Sequence, residues 1–88
     1  MTRHRKPGKH KPVHPGEVLR KEFLYPGGMT VEALADGIGV SREHLQKVCL
    51  GDVPLTGFVA MGLARAFGNS EQFWLGLQAQ YDAEMEAQ

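Results

Sequence analysis

Apolar residues recur at helical spacing through most of the chain, and glycine or proline interrupts the pattern at short intervals. Val18, Leu19 and Phe23 form a first stripe, opened by His14-Pro15-Gly16-Glu17 and stopped by Pro26-Gly27-Gly28. Proline at a first helical position gives up only a donor that has no partner there, and a first-turn carboxylate suits the helix dipole. Thr30, a good N-cap, precedes Val31, Leu34, Ala35 and Ile38 at i, i+3, i+4 and i+7. Gly39 ends this second helix after barely two turns. Ser41 caps a third helix almost at once, with Leu45, Val48 and Cys49 as apolar positions and Gly51 as its end. Asp52-Val53-Pro54 turns the chain. Thr56 caps a fourth helix whose stripe is Val59, Ala60, Leu63, Ala64 and Phe67, stopped by Gly68-Asn69. A fifth begins near Ser70 and carries Phe73, Trp74, Leu77 and Tyr81. No segment combines period-two alternation with β-branched enrichment, as a strand would. The pattern predicts an all-α, five-helix bundle over residues 14–88.

At 88 residues the chain has room for one core, not two. Residues 1–13 stand apart from it, with two prolines, a glycine and no apolar period, and are expected to form a flexible basic arm. The formal net charge of zero conceals a split. Residues 1–21 carry seven basic side chains against Glu17 alone, a net of +6, and residues 22–88 carry the opposite −6. Such asymmetry points to an anionic partner at one end and a basic partner at the other. No run of eighteen apolar residues is present, which excludes a transmembrane helix, and no apolar stretch follows the basic N-terminus as in a secretory signal. A cytoplasmic location is expected. The single cysteine, Cys49, excludes a disulfide framework within the chain and reads as a small buried hydrophobe. His4, His10 and His14 lack metal-ligand spacing, and no histidine is spaced with Asp, Glu or Cys as a nucleophile–base pair. No metal, cofactor or catalytic residue is expected, and the chain reads as a binding protein, not an enzyme.

The informative stretch is the pair of short helices within residues 30–51. Two helices joined by a three-residue turn containing glycine define a helix-turn-helix. Ala35 is small where the axes must approach, and Gly39 stands where the turn needs a positive φ. Arg42, Glu43, His44 and Lys47 crowd the N-terminal, outward face of the third helix, the end that enters a major groove. Arg42 is expected to read guanine O6 and N7, and Lys47 a base or a phosphate. Thr30 and Ser41, at helix N-termini, are placed to hold phosphates. Glu43 can accept from cytosine, and His44 can tie binding to pH.

Together these residues resemble the Cro/repressor-like (XRE) helix-turn-helix proteins, whose fold is of the lambda-repressor type. Within them the chain is similar to the HigA antitoxins, also called virulence-associated protein I. The resemblance rests on His14-Pro15-Gly16-Glu17, on Leu34-Ala35 with Gly39-Val40-Ser41-Arg42, and on Phe73-Trp74-Leu75-Gly76-Leu77-Gln78 with Tyr81-Asp82. It covers roughly residues 14–82. Val31, Leu50 and Gly62 depart from the family pattern, the last inside a helix where glycine costs about 1 kcal/mol against alanine. The resemblance implies a dimer on double-stranded operator DNA in its own promoter. It also implies a HigB-like, mRNA-cleaving toxin as partner, a basic protein that the acidic body complements. The alternative is a stand-alone regulator of the same fold without a toxin; an interaction module that has lost DNA is a further one.

Dimerisation is expected through the last helix, because helix-turn-helix proteins read two half-sites about 34 Å apart. Phe73 and Leu77 are assigned to the core. Leu75 points elsewhere, and Trp74 and Tyr81 carry polar handles suited to a half-wet boundary, so these three are the expected interface.

Overall fold

The computed structural model describes residues 11–88, and all of these that form regular structure are helical. Residues 1–10, most of the expected arm, lie outside the described residues. Helix α1 is continuous but changes winding, from Pro15–Val18 through a π-helical stretch, Leu19–Leu24, to a last turn, Tyr25–Gly27. The others are α2 (Val31–Ile38), α3 (Arg42–Leu50), α4 (Gly57–Phe67) and α5 (Glu71–Glu86).

The first helix ends within Pro26-Gly27-Gly28 as the sequence predicts, but it runs through the proline to do so. The Tyr25 N–H reaches back to the Arg20 carbonyl, five residues instead of four. This wider turn comes immediately before Pro26, and such insertions are where helices commonly accommodate an irregularity. Gly28, with φ 66°, takes the left-handed conformation that ends the helix.

The core is one cluster to which every helix contributes. Leu19, Leu24, Leu34, Ala35, Leu45, Val48, Val59, Leu63 and Trp74 are all buried in it. Helix α1 crosses α3 at Gly16, where a side chain would overlap the Val48 carbonyl oxygen. Arg20 strengthens the same crossing by donating from Nε to the Cys49 carbonyl at 2.9 Å. Gly62, costly by helix propensity alone, is buried against Ile38 of α2, and a Cβ there would lie 2.9 Å from the Ile38 Cβ. Close approach of α4 to α2 explains this glycine.

In the last helix one of the three expected interface residues, Trp74, belongs to the core instead. Trp74 is fully buried, its ring 5.0 Å from Phe23 and its Nε1 donating to Asn69 Oδ1 at 2.8 Å. Its polar handle is therefore satisfied inside the monomer. Tyr81 is half-buried with its ring edge-on to His14 at 4.9 Å. Phe73, assigned to the core, instead touches Phe23 and Trp74 at the rim and stays 41% exposed. Leu77 packs against the core. Of the three expected interface residues, Leu75 alone is exposed.

His14 and Gln78 explain why the opening and closing motifs occur together. His14 caps α1 by accepting at Nδ1 from the Gly16 N–H, and donates from Nε2 to the Val53 carbonyl. Gln78 accepts at Oε1 from the Leu55 N–H at 2.8 Å and donates to Asp82 Oδ1. Both fasten the segment between α3 and α4 to its neighbours. The two motifs are therefore halves of one packed junction.

Candidate nucleic-acid interface

Helices α2 and α3 form the helix-turn-helix, and each local feature follows from residue chemistry. Thr30 Oγ1 accepts from the Ala33 N–H at 3.0 Å, and Ser41 Oγ accepts from the His44 N–H at 3.1 Å. Gly39 takes φ 76°, the left-handed conformation that turns the chain between the helices. Ala35, with no exposed surface, lets the two axes approach. Leu45, Val48 and Cys49 anchor α3 to the core, which leaves Arg42, Glu43, Gln46, Lys47 and Leu50 facing outward. His44 is half-buried at the edge of that face.

Of the six expected contact residues, Arg42, Glu43 and Lys47 lie together, while Thr30 and Ser41 sit at the N-caps of α2 and α3. The two hydroxyls already accept from backbone, but each keeps its own proton to donate. Arg42 is not a free cation. Its Nε donates to Asp36 Oδ1 at 3.0 Å and its Nη2 to Asp36 Oδ2 at 2.6 Å, a two-pronged bridge from α3 to α2. The hydrogen bond from Arg42 holds the Asp36 carboxyl below the usual carboxylate range and raises the arginine further. Lys47 lies 3.6 Å from Glu43 one turn back, a looser contact within α3.

A shallow depression on this face is lined by Glu32, Arg42, Glu43, Gln46, Lys47, Leu50 and Asp52. Leu50 is 66% exposed there, an apolar side chain suited to a thymine methyl group. Gln46 can pair with adenine N6 and N7. Gln46, Leu50 and Asp36 are not among the contact residues that the sequence pattern selects. Gln46 and Leu50 follow Arg42 and Glu43 at four- and seven-residue steps, a spacing that marks Gln46 as part of the same polar face. Asp36 pairs across the turn, and no spacing rule within one helix marks it.

Cys49 has no reactive role in this geometry. It is buried, and burial pushes its thiol up to about 11. Among the described residues no three His, Cys, Asp or Glu side chains are grouped to hold a metal ion.

Comparison with known proteins bears on the same elements. The helix-turn-helix family model matches residues 19–74. Antitoxin HigA-1 of Vibrio cholerae is 46% identical over 74 residues, which is 84% of this chain and 70% of that protein. A Pseudomonas aeruginosa structure, antitoxin HigA with the higBA promoter, superposes with a TM-score of 0.84 at 34% identity, covering 86% of this chain and 83% of that one. A second structure from Pseudomonas aeruginosa, in complex with its 18-bp operator DNA, gives a TM-score of 0.84 at 34% identity, covering 86% and 82%. The chain belongs to the helix-turn-helix family of the Cro/repressor (XRE) type and, within it, to the HigA antitoxins.

Proposed function

We propose that this protein is the antitoxin of a two-component module, binding operator DNA upstream of its own reading frame and silencing a HigB-like toxin. The observation that carries the DNA half is the outward edge of α3, whose polar side chains are exposed while its apolar ones are buried. A relative of the same fold is in complex with its operator DNA. Arg42 reads guanine, Gln46 and Lys47 follow it along the groove, and Thr30 and Ser41 hold phosphates through hydroxyls and helix N-terminal N–H groups. Glu43 and His44 border this contact. Glu32, Asp36, Glu43 and Asp52 on or near the face oppose indiscriminate attraction to phosphate, so specificity rests on base contacts more than on net charge. The cations of residues 1–13 supply backbone attraction from the arm, and residues 14–88 form the folded domain.

Two copies act together on a pseudo-palindromic site, meeting through the exposed side of α5 that includes Leu75. The toxin half of the reading rests on relatives named HigA and on the −6 charge of residues 22–88, which complements a basic partner. No catalytic step belongs to this chain, and its work places it in the cytoplasm. Among the described residues no helix is long and apolar enough to cross a membrane.

A gel shift on the DNA upstream of the protein's own reading frame tests the first half. Binding is expected there and not on a scrambled duplex. Co-expression with a small basic product of an adjacent reading frame tests the second, and relief of that product's growth arrest is expected. Equal binding to both duplexes contradicts the operator reading, and growth arrest that persists at equal expression contradicts the antitoxin reading.

A further inference from the structure

We infer that Asp36 is a positioning residue for base readout, clamping Arg42 along one edge so that the opposite edge of the guanidinium is presented to a guanine. The inference rests on the DNA reading above and adds a residue on α2 to it.

The geometry is specific. A guanidinium has five N–H donors in a rigid plane. Asp36 takes one from Nε and one from Nη2, both on the side edge. Three donors remain, and the end edge, with one N–H from each terminal nitrogen, matches the O6 and N7 pair of guanine. Among the described residues that end edge donates no hydrogen bond, and Glu32 acts on the arginine through its charge alone. A free arginine side chain must give up several rotatable bonds to reach one geometry, and the clamp removes that loss before DNA arrives.

Stability does not account for Asp36. Both partners are more than half exposed, 62% for the Arg42 side chain and 56% for Asp36, where ion pairs contribute little to folding. A carboxylate in the last turn of α2 also opposes the helix dipole, and no basic residue in that turn offsets it. An acid beside a DNA-facing edge repels phosphate as well. An orienting function compensates for both drawbacks. Lys47 and Glu43 offer the contrast, since their single contact fixes no plane.

The test uses the full chain, its own upstream duplex and a scrambled duplex, with wild type, Asp36→Ala, Asp36→Asn, Arg42→Ala and the double alanine variant. Melting curves establish that each variant is folded. Asp36→Ala is expected to weaken operator binding about tenfold without weakening binding to the scrambled duplex. Asp36→Asn, which keeps one acceptor, should fall between. The double variant should bind no worse than Arg42→Ala alone, because the aspartate acts through the arginine. Arg42→Ala binding the operator like wild type would overturn the DNA reading itself. A weakened Arg42→Ala beside an unaffected Asp36→Ala overturns the Asp36 inference alone, as does tightening of both duplexes by Asp36→Ala.

Discussion

Gly16 and His14, two residues apart, show how single side chains set the geometry of the opening turn. Any side chain at Gly16 meets the backbone of α3 at Val48 and Cys49, which cannot rotate aside as a flexible side chain would. Gly16→Ala is therefore expected to lower unfolding free energy by about 3 kcal/mol or more, read from a urea transition; an unmoved midpoint would contradict the crossing described here. His14 acts through its proton state. Its Nδ1 accepts the capping hydrogen bond from Gly16, so the ring is neutral in the fold. Burial lowers its pKa from 6.5, while the Val53 carbonyl and the charge of Asp82 pull the other way. A lowered folded-state value means the unfolded chain takes up the proton first. The stabilisation is thus complete above about pH 6.5 and is lost as pH falls through the lower folded value. Wild type should melt at a lower temperature at pH 5.5 than at pH 7.5, and His14→Asn, which caps without titrating, should show a smaller difference. Equal differences in the two proteins would mean that His14 does not set the pH dependence of stability.

The elements divide into those that local sequence specifies and those that need the assembled fold. Caps and stripes specify α2 and α3 because Thr30, Ser41 and Gly39 act on backbone groups within three or four residues. The length of α1 depends on a wide turn ahead of Pro26, which no propensity marks. Thr56 takes the N-cap position of α4 but accepts no capping bond there. The aromatic pair in α5 reads as amphipathic, yet burial places Trp74 inside and leaves Phe73 at the rim, against the sequence expectation for both. The candidate site follows the same division. Arg42 and Lys47 are legible from the face they occupy, whereas the Asp36 clamp exists only once α2 and α3 are folded together. Gln78 is the clearest element-scale contact, tying α5 to the segment before α4. Replacing it with leucine leaves the Leu55 N–H unpaired and buried, and should cost about 1–3 kcal/mol in thermal or urea unfolding. A loss below about 0.5 kcal/mol would mean that water replaces the amide there.

At the scale of the molecule, a small domain with one cluster of buried side chains presents two differently built surfaces. One is the α2–α3 edge. The other is the outer side of α5, which holds Leu75 with Ala79 one turn on, and whose last turns carry Glu84 and Glu86 with no basic side chain. Burial of Trp74 in the fold narrows the expected dimer contact to Leu75 and the half-buried Tyr81. Leu75→Glu should then convert a dimer to a monomer in solution mass measurements without lowering the melting temperature of the domain itself. A wild-type monomer, or a dimer undisturbed by the change, contradicts this surface.

Under the proposed function, α3 reads guanine in an operator through Arg42. Methylation interference on the upstream duplex tests it most directly, because a methyl group on guanine N7 blocks the acceptor that arginine uses. The expected result is two symmetric guanine positions, about one helical turn apart, where methylation abolishes wild-type binding and has no further effect on residual binding by Arg42→Ala. Interference that is identical for wild type and Arg42→Ala, or absent from the upstream duplex, would contradict guanine readout by Arg42.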